Sequence, residues 1–108
     1  WNGTAWIQMG SDLEESQQQA LFGISVSLSR TGSVVAVGAE RYDNPLGGRV
    51  DSGLVRVFGY DASSSSSSQW VRLGQDIVGD LAGERFGYHV SLSGDGSTVL
   101  AGARYYNR

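Results

Sequence analysis

The sequence predicts an all-β fold in which one unit occurs twice, and three observations carry that prediction. The stretch that begins at Phe22 is written a second time from Phe86, so the two copies start 64 residues apart. From Trp6 onward the copies align without a gap, and 15 of 39 aligned positions are identical. Each copy alternates apolar and polar residues, and then has a glycine turn and a short apolar run, which is a β-hairpin pattern. Self-similarity at a fixed period indicates a repeat architecture.

The first strand of each copy is predicted from this alternation. Ile24, Val26 and Leu28 alternate with serines, so one face of the strand is apolar and the other is polar. The second copy keeps the same period from Tyr88 to Leu92.

The hairpin turn and the second strand follow directly. Gly32 and Gly96 lie in the predicted turns, where glycine supplies the positive φ that a tight hairpin demands. The runs 34–39 and 98–103 are short and apolar on both sides, as expected for a strand between neighbouring layers. Both runs end in Gly-Ala, and the missing side chain lets another backbone come close.

Two further strands complete each unit. Residues 54–58 show strand character, with Arg56 expected at a rim or paired with a carboxylate, and residues 6–9 and 70–73 form a strand that begins with tryptophan. Long loops are predicted for the rest of the chain. These loops are residues 11–21, residues 75–85, residues 40–52 and the serine run 63–68.

Four antiparallel strands joined by hairpins form one blade of a β-propeller. A single blade cannot bury both faces, so neighbouring blades stack on it. The sequence therefore predicts about two four-stranded antiparallel blades of an incomplete propeller across residues 1–108. The first repeat spans about residues 6–69 and the second about residues 70–108, and both ends are truncated.

The repeated motif resembles the FG-GAP repeat. Phe-Gly followed by Ser-Val-Ser-Leu-Ser and later by Gly-Ala starts at Phe22, and it recurs from Phe86 with His at the first serine. The flanking Trp-x-x-x-Gly pattern, at Trp6 and Trp70, is similar to a branch of such repeats in large extracellular proteins of algae and other protists. The resemblance implies a propeller like that of integrin α-subunits and an extracellular or cell-surface location.

Integrin-type repeats carry a calcium loop with several aspartates at the turn between the first two strands. In this sequence the first turn has no carboxylate and the second has Asp95 alone. Calcium takes six to eight oxygen ligands, usually including several carboxylates. We therefore expect no cofactor, and Asp95 is the one calcium candidate.

Composition narrows the classes of partner. The net charge of −3 and the pI near 4.9 argue against nucleic acid, because such partners need a basic face. No apolar run approaches the roughly 18 residues of a membrane helix, so membrane insertion is not expected. The absence of cysteine excludes disulfides and thiol nucleophiles.

The triplet Asn2-Gly3-Thr4 allows two interpretations that can hold together. It is an acceptor for N-glycosylation, which would place this segment on the surface of a secreted protein. It is also an Asn-Gly hairpin turn.

The sequence offers no catalytic constellation. His89, the only histidine, stands on the polar side of a predicted strand, where a solvent-facing role is favoured over a general base. Asp12 and Asp76 recur at equivalent positions, so we expect them to cap turns. We therefore predict that the protein is not an enzyme.

Aromatic residues divide into two groups. Trp6 and Trp70 recur and are expected to pack between blades. Tyr42 and Tyr106 recur at the entrance to the long loop, and Tyr105 lies beside the latter, so these three are candidates for contact with a ligand.

Arg41 and Arg49 lie in the same long loop and are available to a partner. The leading functional prediction is a non-catalytic propeller segment that acts as a protein-protein interaction module or structural scaffold of a larger extracellular or cell-surface assembly. Its partners would be other blades of the same chain or other copies, and a protein or a glycan. The alternative is a lectin-like module that binds carbohydrate.

Overall fold

The computed structural model describes residues 2–45, 48–63 and 69–104. Within these ranges the chain is all-β, with seven strands and no helix. The strands are β1 (Phe22–Leu28), β2 (Val34–Ala39), β3 (Leu54–Tyr60), β4 (Trp70–Arg72), β5 (Ile77–Val78), β6 (Phe86–Leu92) and β7 (Val99–Ala103). None of the residues in these ranges forms a helix that is long and apolar enough to cross a membrane.

The strands form two antiparallel sheets. Sheet 1 has the order β1-β2-β3-β4, and β5 pairs with the same edge of β3 as a short fifth strand. Sheet 2 consists of β6 and β7. β1 and β6 carry a register shift at the same place, after their Phe-Gly start.

Both predicted hairpins form, and they close in the same way. In the first, the Ser29 amide donates to the Val34 carbonyl over 2.9 Å, and the Val34 amide donates to Ser29 Oγ over 3.0 Å. Ser93 and Thr98 repeat both bonds in the second hairpin. The serine side chain thus satisfies the backbone at the turn, where glycine adopts positive φ.

Backbone conformation repeats beyond the hairpins. Residues 64 positions apart share positive φ values, including a pair that contains no glycine. The pairs are Leu21 (58°) with Arg85 (56°), Gly10 (70°) with Gly74 (73°), Gly23 (95°) with Gly87 (90°) and Gly32 (76°) with Gly96 (74°). Because a non-glycine residue rarely adopts positive φ, the Leu21 and Arg85 match indicates that the two copies follow the same path.

The predicted strand at residues 6–9 is wrong. These residues form no strand, and Trp6 is 84% exposed rather than packed between sheets. The equivalent strand β4 forms because it pairs with Phe58, Gly59 and Tyr60 of β3. For residues 6–9 the corresponding partner would precede Trp1 in the sequence. A strand without a partner leaves its backbone groups unpaired, so the pattern alone does not produce it.

The loop predictions for the equivalent residues 11–21 and 75–85 have different outcomes. Residues 11–21 form a loop with one turn, closed by the Ala20 amide on the Gln17 carbonyl, as predicted. The loop prediction for residues 75–85 is wrong at β5, which pairs with Leu54 and Val55. β4 covers only the far end of β3, and β5 satisfies the rest of that edge.

Sheet 2 has two strands within the described part of the chain, not four. The counterpart of β3 would begin beyond Arg108, 64 residues after Leu54. β4 opens the second predicted repeat, but it completes sheet 1. Residues 64–68 of the serine run lie outside the described residues.

Three small clusters form the core. One lies on the outer face of sheet 1, where Leu13 and Trp70 cover Val35, Val37 and Phe58. A second surrounds Ala39 and Leu54 at the end of β2. The third joins the two sheets through Ala36, Val55 and Val90, so the sheets pack face to face.

Candidate functional site

The loop between β2 and β3 holds three of the predicted contact residues. Tyr42 is half-buried and packs against the cluster of Ala20, Ala39 and Leu54. Arg41 and Arg49 have exposed positions in the same loop. Tyr105 and Tyr106 lie outside the described residues, so contact of these two side chains with a ligand stays a prediction.

This loop is fixed to the segment before β1. The Gln17 side chain donates to the Asp43 carbonyl and accepts from the Asp43 amide, both over 2.9 Å. Asn44 and Arg49 exchange two backbone hydrogen bonds of 3.0 Å across the loop. The Tyr42 carbonyl accepts the Gly53 amide over 3.0 Å. The exposed arginines therefore stand on an anchored loop.

Asp95 is engaged in its own turn. Its Oδ1 accepts hydrogen bonds from Ser93 Oγ (2.8 Å), from the Ser97 amide (3.0 Å) and from Ser97 Oγ (2.7 Å). The Ser97 side chain and amide, together with Ser93, lower the pKa of Asp95 to about 2. In residues 2–45, 48–63 and 69–104, no three His, Cys, Asp or Glu side chains gather at metal-binding distance. The expectation of no cofactor, with Asp95 as the one calcium candidate, stays a prediction.

Asn2 forms an Asn-Gly turn, but no strand follows it among residues 5–21, so the predicted hairpin does not form. Its amide donates to the Ala5 carbonyl over 3.1 Å, and its Oδ1 accepts from the Thr4 amide and hydroxyl, each over 3.0 Å. Asn2 is exposed. Glycosylation at this position stays a prediction.

A buried cation on β3 joins the loop before β1 and the turn before β5 to sheet 1. The side chain of Arg56 is 4% exposed and binds Glu15 Oε2 through Nη1 over 2.7 Å. Its Nε and Nη2 form a bidentate pair with Asp76 over 2.8 and 2.7 Å. Asp76 was predicted to cap a turn, but it neutralises Arg56, because β3 places a charge where β4 and β5 separate. Asp12, its counterpart, accepts from Gln8 Nε2 over 2.8 Å.

These contacts shift the pKa values of the acids. The hydrogen bond from Arg56 lowers the pKa of Asp76, although its partial burial opposes this. Burial alone would raise the pKa of Glu15, but hydrogen bonds from Arg56, Ser16 and Gln17 outweigh it, so the pKa is lowered. Both acids are therefore ionised partners of a structural cation rather than proton donors.

Sheets 1 and 2 meet at what we call the joint, where Ser25, Ser27, Ala36, Gly38 and Val55 of sheet 1 face Gly87, Val90 and Leu92 of sheet 2. A Cβ placed on Gly38 of β2 would clash with the Gly87 carbonyl oxygen. On β1, Ser25 Oγ donates to that same carbonyl over 2.9 Å, and Ser27 Oγ accepts the Leu92 amide over 3.0 Å. The small and polar side of sheet 1 thus meets the apolar side of sheet 2.

Opposite charges also meet across the joint. Glu40, which follows β2, and Arg104, which follows β7, occupy equivalent positions 64 residues apart. Arg104 Nη1 lies 3.7 Å from Glu40 Oε1. Glu40 is 3% exposed, and within the part of the chain that the structure describes its Oε2 is buried with no hydrogen-bond partner.

Each sheet also has a surface that faces away from the joint, and parts of these two surfaces are exposed. We call the exposed side of β1 the front face, formed by Gly23, Ile24, Val26 and Leu28. We call the outward side of sheet 2 the back face, formed by His89, Ser91, Leu100 and Gly102.

Equivalent residues differ sharply in exposure. Val90 in the joint is 5% exposed, whereas its counterpart Val26 on the front face is 62% exposed. Ala36 in the joint is fully buried, whereas its counterpart Leu100 on the back face is 74% exposed. A Cβ on Gly102 would meet nothing within 4 Å, in contrast to Gly38.

A groove of about 230 Å³ opens where the outer ends of the sheets diverge. Val57, Leu73, Ile77, Leu92 and Val99 form its apolar walls. Gln75 and Ser97 are the polar side chains among its lining residues, and none of the lining residues is charged. The groove is therefore a widening of the joint.

The sequence predicted a close backbone approach at the Gly-Ala ends and a carboxylate as one of two options for Arg56, but it did not identify the partners of three acids. Glu15, Asp76 and Glu40 find their partners only in the folded chain. The opposite charges of Glu40 and Arg104 at equivalent positions were the one signal in the sequence that could have indicated a contact between the copies. His89 lies exposed on the back face, as predicted. The chain matches no protein-family model, no curated protein and no solved structure.

Proposed function

We propose that sheets 1 and 2 are neighbouring blades of a β-propeller, and that the chain is a non-catalytic scaffold or protein-protein interaction module of a larger extracellular or cell-surface assembly. The observation that carries this proposal is the contrast between the joint and the outer faces. The same positions are buried in the joint and exposed on the front and back faces. Such a stack can continue in both directions, which is how repeat proteins build extended surfaces.

The chemistry of the buried groups supports a structural role. Glu15 and Asp76 both pair with the buried Arg56, and this triad ties the loop before β1 and the turn before β5 to β3. His89 is exposed on a strand. The turn at Asp95 satisfies its carboxylate with serine donors. The resemblance to FG-GAP repeats and the glycosylation triplet at Asn2 support the extracellular location.

A chain with one extra period tests the stacking that this function needs. Residues 22–85 are inserted a second time after Arg85, so that the order becomes 1–85 followed by 22–108. The splice joins Arg85 to Phe22, and Arg85 has the same backbone conformation as Leu21. The inserted sheet would be covered on both faces, so we expect the urea midpoint of unfolding to rise above that of the parent chain. An unchanged or lower midpoint would contradict the proposal.

The lectin-like alternative places a glycan on the loop between β2 and β3. Tyr42 packs against the core, which leaves only part of its ring to a sugar. Glycan-array screening of the chain and of Tyr42→Ala separates the two functions. The scaffold proposal expects no hit, and a hit that Tyr42→Ala abolishes would favour the lectin.

A further inference from the structure

We infer that the chain binds a second copy of itself head to tail, with the front face of one copy on the back face of the other. This inference rests on the proposed stacking function and names the partner of its two open faces. The front and back faces lie on opposite sides of one chain, so they cannot cover each other within that chain. A second copy can bring them together by repeating the part of the joint that β6 forms, with β1 in the place of β6. The neighbouring Val35 and Val37 of β2 are already covered by Leu13 and Trp70.

The apolar contacts of the joint have counterparts on these faces. In the joint, Val90 of β6 packs against Ala36 and Val55 of sheet 1. On the open faces, Val26 takes the place of Val90 and Leu100 takes the place of Ala36. Sheet 2 has no counterpart of β3 among the described residues, so the larger Leu100 fills part of the volume that Val55 occupies in the joint.

The hydrogen bonds of the joint have counterparts too. Ser27 accepts the Leu92 amide in the joint, and Ser91 stands at the same place on the back face to accept the Leu28 amide of the second copy. Ser25 donates to the Gly87 carbonyl in the joint. His89 replaces Ser25 on the back face and carries a ring N–H that can donate to the equivalent carbonyl, that of Gly23.

The charges that flank the joint also continue in register. Along a head-to-tail chain of copies, the position after the second strand alternates between Glu40 and Arg104. Each Glu40 then lies between the Arg104 of its own chain and the Arg104 of a second copy. Within the described residues Glu40 Oε1 approaches Arg104 while the buried Oε2 has no partner. A second guanidinium would add a positive charge beside this carboxylate, whose Oε2 is buried within its own chain.

The faces predict a heterologous contact rather than a symmetric one. The front face is apolar, whereas the back face combines a leucine with glycine and hydrogen-bonding side chains. Each face is complementary to the other and not to itself. Heterologous contacts propagate until a ring closes or a filament forms, so association should increase with concentration beyond a dimer.

Two substitutions distinguish front-to-back association from a symmetric contact through one face alone. Val26→Asp disables the front face and Leu100→Asp disables the back face, and both positions are exposed enough to accept Asp without unfolding the chain. Each variant alone loses every front-to-back contact, because an aspartate would be buried without a partner, and its self-association weakens by about a hundredfold or more. An equimolar mixture retains one intact front face and one intact back face.

Sedimentation velocity and light scattering measure the outcome. We expect the unchanged chain to form species above the monomer mass, each variant alone to be a monomer, and the mixture to form a one-to-one dimer and nothing larger. Val50→Asp, at a loop position 58% exposed and outside both faces, is the matched control and should associate like the unchanged chain. Circular dichroism of each variant confirms that the strands are retained.

Three results would overturn the inference: an unchanged chain that stays monomeric at all concentrations, a single variant that still dimerises, or a mixture that does not. If the chain does not self-associate, the proposed stacking can still be tested by urea unfolding of the chain with the inserted period. In that chain the added sheet belongs to the same molecule, so its packing does not depend on a second copy. A monomeric parent with a stabilised insertion chain would reject self-association alone.

Discussion

Arg56 shows what a single residue contributes to this fold. A charged side chain in an apolar strand predicts a carboxylate partner, and the structure supplies two. The sequence could not identify them, because Glu15 lies 41 positions before Arg56 and Asp76 lies 20 positions after it. Both acids reach Arg56 only when the loop before β1 and the turn before β5 converge on β3. Local patterns carry no information on that convergence.

Replacing Arg56 should be far more costly than replacing a neighbouring arginine at the surface. Arg56→Met leaves two carboxylates without their cation, which should lower the free energy of unfolding by about 3–5 kcal/mol. Arg72 lies 3.6 Å from the same Asp76 but is 57% exposed, so Arg72→Met should cost under about 1 kcal/mol. Urea denaturation measures both, and equal losses would contradict the structural role of the triad.

The triad also predicts how stability depends on pH. Glu15 and Asp76 have folded-state pKa values below their ordinary values of 4.5 and 3.8. Carboxylates with lowered pKa contribute stability above the unfolded pKa and lose it as the pH falls through the folded one. The free energy of unfolding should therefore be constant from neutral pH to about 5 and then decrease. Arg56→Met should show a smaller decrease between pH 5 and pH 3, and an identical acid dependence would contradict this cause.

At the level of strands, the sequence predicted the elements that local pattern determines. The hairpins of both copies follow from alternation, a glycine turn and a serine that bonds its own turn. Residues 6–9 have the tryptophan strand pattern, but no strand pairs with them among the described residues. β5 lacks the pattern, but it pairs with the edge of β3 that β4 leaves uncovered. Pairing, which depends on distant segments, overrode local preference in both cases.

Alanine substitutions at the equivalent residues Gly38 and Gly102 compare the contribution of the joint to stability with that of an open face. Ala at residue 38 would drive its Cβ into the Gly87 carbonyl, whereas Ala at residue 102 has open space. We expect Gly38→Ala to lower the unfolding free energy by about 2–4 kcal/mol, because packed backbones would have to separate. Gly102→Ala should change it by less than about 1 kcal/mol. Thermal and urea unfolding compare the two, and equal effects would mean that the sheets do not touch there.

At the scale of the whole molecule, one joint holds two equivalent sheets together. The repeat and its period were visible in the sequence, and the glycine at the end of β2 indicated a close backbone approach. Which faces meet was not visible, because both faces of an alternating strand can be buried in a stack. The exposures of Val26 and Leu100, set against those of Val90 and Ala36, define the direction of stacking.

Nuclear Overhauser effects between methyl groups test this joint most directly. In a methyl-labelled chain, the methyls of Val90 should show cross-peaks to those of Ala36 and Val55, with which they form one core cluster. A dilute sample in which Val90 shows cross-peaks only to sheet 2, with the two sheets reorienting independently, would contradict the account.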